Sequence, residues 1–127
     1  MSKVIIESPD APKAVGAYAQ AVRANGFVFR SGQIPLDPAT GNLIDGDVSA
    51  QAKRVMENLG AVLRAAGSGF SQVVKATIYL VDMNDFPAVN QVYGEYFAAD
   101  EKPARATIAV AALPRGAKVE IDMIALA

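Results

Sequence analysis

The run Pro103-Ala104-Arg105-Ala106-Thr107 sets one arginine among small residues. An arginine so placed has room above its guanidinium, and the planar fork suits a carboxylate held by two parallel hydrogen bonds. If the segment is a strand, Arg105, Thr107, Ala109 and Ala111 share a face. Taken alone, such an arginine is more often half of a surface ion pair than a ligand anchor. Further along, Glu120 and Asp122 alternate with Val119, Ile121 and Met123. A carboxylate on a partly apolar strand face is open to desolvation, which raises its pKa towards acid–base use. Charges that keep an edge strand from aggregating give the same pattern, and residue types alone do not separate the two.

Composition narrows the chemistry. The 127 residues include no His and no Cys. Disulfides, thiolate nucleophiles and zinc–thiolate sites are therefore excluded. So are the commonest general base and the commonest metal ligand. No metal is expected, and catalysis falls to carboxylates, hydroxyls, Arg, Lys, backbone amides and water. A formal net charge of −1 argues against a nucleic-acid partner, which would need a basic stripe. The polybasic clusters that read anionic lipid are missing as well. Val4-Ile5-Ile6 is too short for the apolar stretch of a signal peptide, and no segment has the length of a membrane span. One cytoplasmic domain over residues 1–127 is the expectation.

The elements that would position these residues follow from periodicity. Val4–Ile6 reads as a short strand. Ala19–Ala24 and Phe27–Ser31 flank Asn25-Gly26, a strong signal for a type I′ hairpin. Pro35, Asp37-Pro38 and Gly41-Asn42 mark a polar excursion. With Asp47 as N-cap, Val48, Ala52, Val55, Leu59, Val62, Leu63 and Ala66 form one apolar helix face. Gln51, Lys53, Arg54 and Glu57 take the other side, and Gly67 sits at C′. Val73–Val81 is expected as a strand with Val74, Ala76, Ile78 and Leu80 on the helix-covered face. Its mixed face is too apolar for solvent and is expected to meet another subunit. A second helix starts near Asn84, with Pro87 in its first turn. Phe86, Val89, Tyr93, Tyr96 and Phe97 are at helical spacing there. Arg105–Leu113 and Val119–Leu126 then read as a hairpin turning at Pro114-Arg115-Gly116. The fold class is α+β, with two helices on one sheet face.

Further contacts are available from Tyr18 after Gly16, from Ser31-Gly32, and from Asn90 on the less apolar side of the second helix. On residue types alone a packed aromatic and an ordinary strand-ending turn explain the first two better, and Asn90 reads either as a ligand contact or as a solvated amide. Gly67-Ser68-Gly69 lacks phosphate-loop spacing. Around a hairpin at Gly116, Glu120 lies near Ala112 and Arg105 stands roughly 23 Å away. If both serve one substrate, the site lies between subunits.

Together these residues resemble the RidA family, also called YjgF-type. The resemblance runs through Gly16-Ala17-Tyr18, Ser31-Gly32-Gln33-Ile34-Pro35, Gln51, Asn58-Leu59, Asn84-Asp85-Phe86 and Val89-Asn90. It is densest at Pro103-Ala104-Arg105-Ala106-Thr107, Ala112-Leu113-Pro114 and Val119-Glu120-Ile121. It implies a chorismate-mutase-like subunit with a mixed β-sheet, assembled as a homotrimer with sheets inside and sites in the clefts between subunits. It also implies a cofactor-free hydrolysis of reactive 2-imino acids, which tautomerise from enamines such as 2-aminoacrylate, to 2-oxo acids and ammonia. The implied benefit is protection of the pyridoxal-phosphate enzymes that release those enamines. By resemblance Arg105 is the carboxylate anchor, and Tyr18, Ser31, Gly32 and Asn90 are pocket contacts. Glu120 and Thr107 surround the attacking water. The chain departs from many members at Thr107, where they carry Cys, at Ala17, where they carry Pro, and in a short segment before Pro103. A trimer that binds 2-oxo acids or regulates an enzyme without turnover would use the same arginine pocket. Ribonuclease activity, ascribed to some relatives, sits badly with a chain that is acidic and has no His.

Overall fold

The computed structural model describes residues 2–127. Six strands form one mixed sheet: β1 (Val4–Ile6), β2 (Ala21–Ala24), β3 (Phe27–Gln33), β4 (Val73–Leu80), β5 (Ala104–Ala109) and β6 (Val119–Leu126). Their spatial order is β1-β2-β3-β6-β4-β5. Helices α1 (Val48–Ala65) and α2 (Phe86–Gly94) cover one face.

Local signals act as expected in the first half. Asn25 and Gly26 take φ of 52° and 82°, so β2 and β3 close as a tight antiparallel hairpin. The Asp47 carboxylate accepts from the Ala50 amide at 2.9 Å and caps α1. At the other end Gly67, at φ 77°, lets the Ser68 amide reach the Leu63 carbonyl at 2.8 Å, which closes the helix in a Schellman turn. All seven residues of the apolar stripe of α1 are buried, and they pack on Val28, Ile78, Leu80, Ile121 and Met123. Helix α2 is shorter than its aromatic spacing suggests. It stops at Gly94, and Tyr96 and Phe97 pack from the following turns against Phe70, with ring centroids 5.3 and 5.6 Å away.

The expected last hairpin is absent. Helix α2 carries the chain back so that β5 pairs parallel to β4 on the sheet edge, as a strand–helix–strand crossover requires. Helix α1 does the same between β3 and β4 but leaves one strand's width between them. That slot takes β6, antiparallel to both neighbours. Its alternate residues Val119, Ile121, Met123 and Ala125 are buried, as a central strand needs, while β5 stays largely exposed. The Val110 amide still donates to the Leu80 carbonyl at 2.7 Å, and the segment beyond it leaves the sheet, which shortens the expected Arg105–Leu113 strand.

Two face assignments also change. Between Val73 and Lys75 the β4–β6 register shifts, so Val73 turns into the core and Val74 turns out. An extra residue in one strand reverses the alternation that follows from period two. Gln51, expected on the solvent side of α1, is buried, and its carbonyl oxygen accepts from the Lys118 amide at 3.0 Å. It ties the start of β6 to the helix.

The face opposite the helices carries Ile5, Phe29, Ile108 and Leu126, all exposed, beside Thr77, Tyr79, Glu120 and Asp122. This is the mixed face of β4 extended across the sheet. Among the described residues no helix is long and apolar enough to cross a membrane.

Candidate functional site

Arg105 lies at the start of the edge strand, opposite Ala76 in the parallel register. It therefore projects to the helix side. There α2 presents Phe86, Asn90 and Tyr93, four and three residues apart and so on one face. The Arg105 Nη1 donates to Asn90 Oδ1 at 2.7 Å. Its guanidinium carbon stands 5.3 Å from the Phe86 ring centroid and 5.1 Å from that of Tyr93, distances at which cation–π attraction holds it. The side chain is exposed, and its hydrogen-bond partner is an amide, not a carboxylate. Most of its donor fork is thus left for an anion. The Tyr93 hydroxyl is buried without a partner, and burial pushes its pKa up against the opposing effect of Arg105. Thr107 lies two residues along, opposite Ile78, on the same side as Arg105.

Glu120 is elsewhere. It pairs with Tyr79 in the β4–β6 register, on the open face. Tyr79 Oη donates to Asp122 Oδ2 at 2.9 Å, which raises the phenol's pKa, with desolvation adding to it. Burial, and then the Asp122 charge, also raise the pKa of Glu120. Its carboxylate rests on the backbone of Gly32, where a Cβ would stand 3.0 Å from Glu120 Cδ. Gly32 reaches this position because β3 carries an extra residue between Arg30 and Gln33 relative to β6.

Ser31, Gly32, Glu120 and Tyr18 line one cavity of about 1020 Å³. Ser31 Oγ donates to the Ala19 carbonyl at 2.6 Å and its amide to Gln20 at 3.0 Å. These bonds fasten β3 to the loop that carries Tyr18, a ring left 54% exposed. The sequence-derived residues thus fall into two groups: Arg105, Asn90 and Thr107 on the helix side of the sheet edge, and Tyr18, Ser31, Gly32 and Glu120 around the cavity. Registers and strand spacing put the Arg105 and Glu120 Cα atoms about 14 Å apart, on opposite faces. The 23 Å expected from a hairpin is replaced, because two strand widths and not one hairpin arm separate them. In neither arrangement do the two side chains share a pocket within one chain.

Sequence reasoning missed the bedding of Arg105. Phe86 and Tyr93 are at core spacing, and only their offset from Asn90 signals that they also face the arginine. Arg30 was missed as well. It is 5% exposed, lines the cavity, and donates to the Gln20 carbonyl at 2.8 Å, the Ser31 carbonyl at 3.1 Å and Gln33 Oε1 at 2.5 Å. A charged residue in a strand of alternating apolar positions was the available signal. Among the described residues no group of three or more His, Cys, Asp or Glu is placed to hold a metal ion.

A family profile described as Endoribonuclease L-PSP matches residues 8–127. Protein DfrA of Myxococcus xanthus is 59% identical over 128 residues, covering 99% of this chain and 97% of that protein. The mouse (Mus musculus) 2-iminobutanoate/2-iminopropanoate deaminase is 49% identical over 122 residues, covering 96% of this chain and 90% of its own. The crystal structure of YyfA from Yersinia pestis, a protein of unknown function of the conserved Rid family, superposes with a TM-score of 0.96 at 44% identity, over 99% of this chain and 100% of that one. With the profile spanning nearly all of the sequence and relatives aligned end to end, the chain belongs to the RidA/YjgF family.

Proposed function

We propose that the protein hydrolyses 2-imino acids, and their enamine tautomers such as 2-aminoacrylate, to 2-oxo acids and ammonia. The observation that carries this reading is the state of Arg105: a guanidinium oriented by an amide and two aromatic rings, exposed, with most of its donors free. A carboxylate is the natural partner of that fork. The name of the mouse relative supports the reaction type.

The separation of Arg105 from the Glu120 cavity supports a site completed by a second subunit. The apolar open face, with Ile5 59% and Phe29 47% exposed, is a surface of the kind that meets other chains. A homotrimer with its sheets inside would bury that face and bring Arg105 and Thr107 of one protomer to the cavity of the next. Arg105 then fixes the substrate carboxylate, so that the imine carbon is positioned and no longer diffusing. Glu120, with Thr107, takes a proton from water as its oxygen bonds to that carbon. Glu120 passes that proton to the imine nitrogen, which gives the neutral carbinolamine and frees the carboxylate again. Glu120 then takes the hydroxyl proton and delivers it to the amine nitrogen as the C=O bond forms and the C–N bond breaks, so that ammonia leaves. A carboxylate whose pKa is raised by burial suits both transfers. Removing such imines would protect the pyridoxal-phosphate dehydratases that release them.

The test generates 2-aminoacrylate from serine with a dehydratase and follows imine decay against a control without protein. Wild type should accelerate decay. Arg105→Ala should retain the trimer and lose at least a hundredfold in kcat/KM. Full activity in that variant overturns the assignment of Arg105, and no acceleration by wild type rejects the enzyme in favour of a binding module.

A further inference from the structure

The cavity that holds Glu120 is lined by three cations, Lys13, Arg30 and Arg115, and by a single carboxylate, Glu120 itself. This is the reverse of the whole chain, whose formal net charge is −1. Clefts lined by one sign of charge concentrate ligands of the other.

Arg30 is the strongest feature. It is almost wholly buried, its three bonds go to two carbonyls and one amide oxygen, and no carboxylate is among its partners. Of five guanidinium donors, Nε has no partner at all. Desolvation pulls its pKa down to about 10, with only Tyr18 opposing the shift. An uncompensated buried cation is costly unless an anion joins it.

Arg115 is unusual in another way. It sits at φ 59°, a left-handed conformation that a residue with a Cβ rarely adopts. Its guanidinium donates to the Gly41 carbonyl at 2.8 Å, which holds it at the cavity wall. Strain of this kind persists where the surroundings enforce it and gathers at ligand-binding positions. Lys13 is exposed and follows Pro12, whose carbonyl accepts from Gln20 Nε2 at 2.7 Å. The Gln20 backbone carbonyl in turn accepts from Arg30. The cation-bearing segments are therefore linked through Gln20 on one side and fixed by Gly41 on the other.

A small aliphatic imino acid does not use this equipment. Its one carboxylate is already assigned to Arg105, and its side chain is uncharged. The volume, about 1020 Å³, is at the upper end of small-molecule pockets, so a longer chain fits. We infer that the cavity holds a second anionic group on the substrate, and that the preferred substrates are dicarboxylic 2-imino acids of the 2-iminoglutarate type. This rests on the imine-hydrolase reading above. Lys13 and Arg115 would contact the distal carboxylate directly, and Arg30 would act on it from beneath as a fixed positive charge.

The test compares ligands matched in chain length. 2-Iminoglutarate is generated from glutamate and 2-iminopentanoate from norvaline by amino-acid oxidases, and kcat/KM is measured for each. In parallel, 2-oxoglutarate and 2-oxopentanoate are titrated by calorimetry at low and high salt. The dicarboxylate should be favoured at least tenfold in both measurements, with the preference shrinking as salt rises. Lys13→Ala and Arg115→Gly, both at exposed positions, should each cut the ratio between the two ligands at least fivefold. Equal or weaker handling of the dicarboxylate, or variants that leave the ratio unchanged, overturns the inference. If neither imine is turned over, the hydrolase reading fails, and the binding ratio still decides whether the cavity selects a second carboxylate.

Discussion

Glu120 Oε2 occupies the space in which a side chain on residue 32 would begin. The contact joins the bulge in β3 to the central strand and sets how far the carboxylate can lie over the sheet. Gly32→Ala should therefore displace Glu120 while leaving the fold intact, because Gly32 does not occupy the left-handed region. We expect a loss of about 10- to 100-fold in kcat/KM, the scale of a misplaced catalytic group. Thermal melts alongside imine-decay kinetics check it, and wild-type rates in Gly32→Ala would remove Glu120 from the mechanism.

Asn90 orients Arg105 through one charge-assisted hydrogen bond. Asn90→Ala should raise KM by about tenfold, with a smaller change in kcat, since such a bond is worth roughly 1.5 kcal/mol or more. Asn90→Asp makes a sharper test. It places a carboxylate against the anchor and should block the substrate far more strongly than the alanine does. Steady-state kinetics on the two variants give the ranking.

The raised pKa of Glu120 fixes the sign of two pH effects. The folded state binds the Glu120 proton more tightly than the unfolded chain does. Stability from this group is therefore full at low pH and declines as pH climbs from the ordinary carboxylate range, about 4.3 for Glu, through the raised value. Glu120→Gln should flatten that part of a urea-midpoint profile. In catalysis the acid limb of kcat/KM should lie above the ordinary Glu range. Asp122→Asn removes the neighbouring charge and should shift that limb to lower pH.

Asn58 is completely buried in α1, with its amide donating to the Leu36 carbonyl at 2.8 Å and its oxygen accepting from Arg54 Nε at 3.2 Å. It holds the polar excursion after β3 against the helix. Asn58→Ala should cost about 2 kcal/mol, the loss expected when a buried carbonyl is left without its donor. Chemical denaturation measures it directly.

What the sequence discloses depends on the range of the interaction. Asn25-Gly26, the Asp47 cap, the α1 stripe and Gly67 are set by neighbours a few residues away, and each takes its expected form. The pairing of β5 and β6 was misread because adjacency along the chain suggests a hairpin, whereas the order of strands is decided by where α1 and α2 set them down. The bulges at Ser31-Gly32 and Val74 escaped for a related reason, since alternation carries no mark of an extra residue. For the candidate site, residue types and resemblance supplied Arg105, Glu120, Tyr18, Ser31, Gly32, Asn90 and Thr107. They could not supply Arg30, whose importance appears only when its partners are seen to contain no carboxylate.

Strand β6 follows every other element in the chain, yet it lies between β3 and β4. Until it inserts, the sheet is two separate ribbons, β1-β2-β3 and β4-β5, each ending in an open row of amides and carbonyls. Joining them needs contacts across nearly a hundred residues of chain, as in Phe27 with Leu126, and such non-local pairing slows folding. During synthesis both ribbons must wait with their inner edges bare, which makes this stage the one most exposed to aggregation and to chaperone capture. The strand that carries Glu120 is also the one that closes the sheet, so the carboxylate proposed for proton transfer reaches its cavity only when β6 inserts.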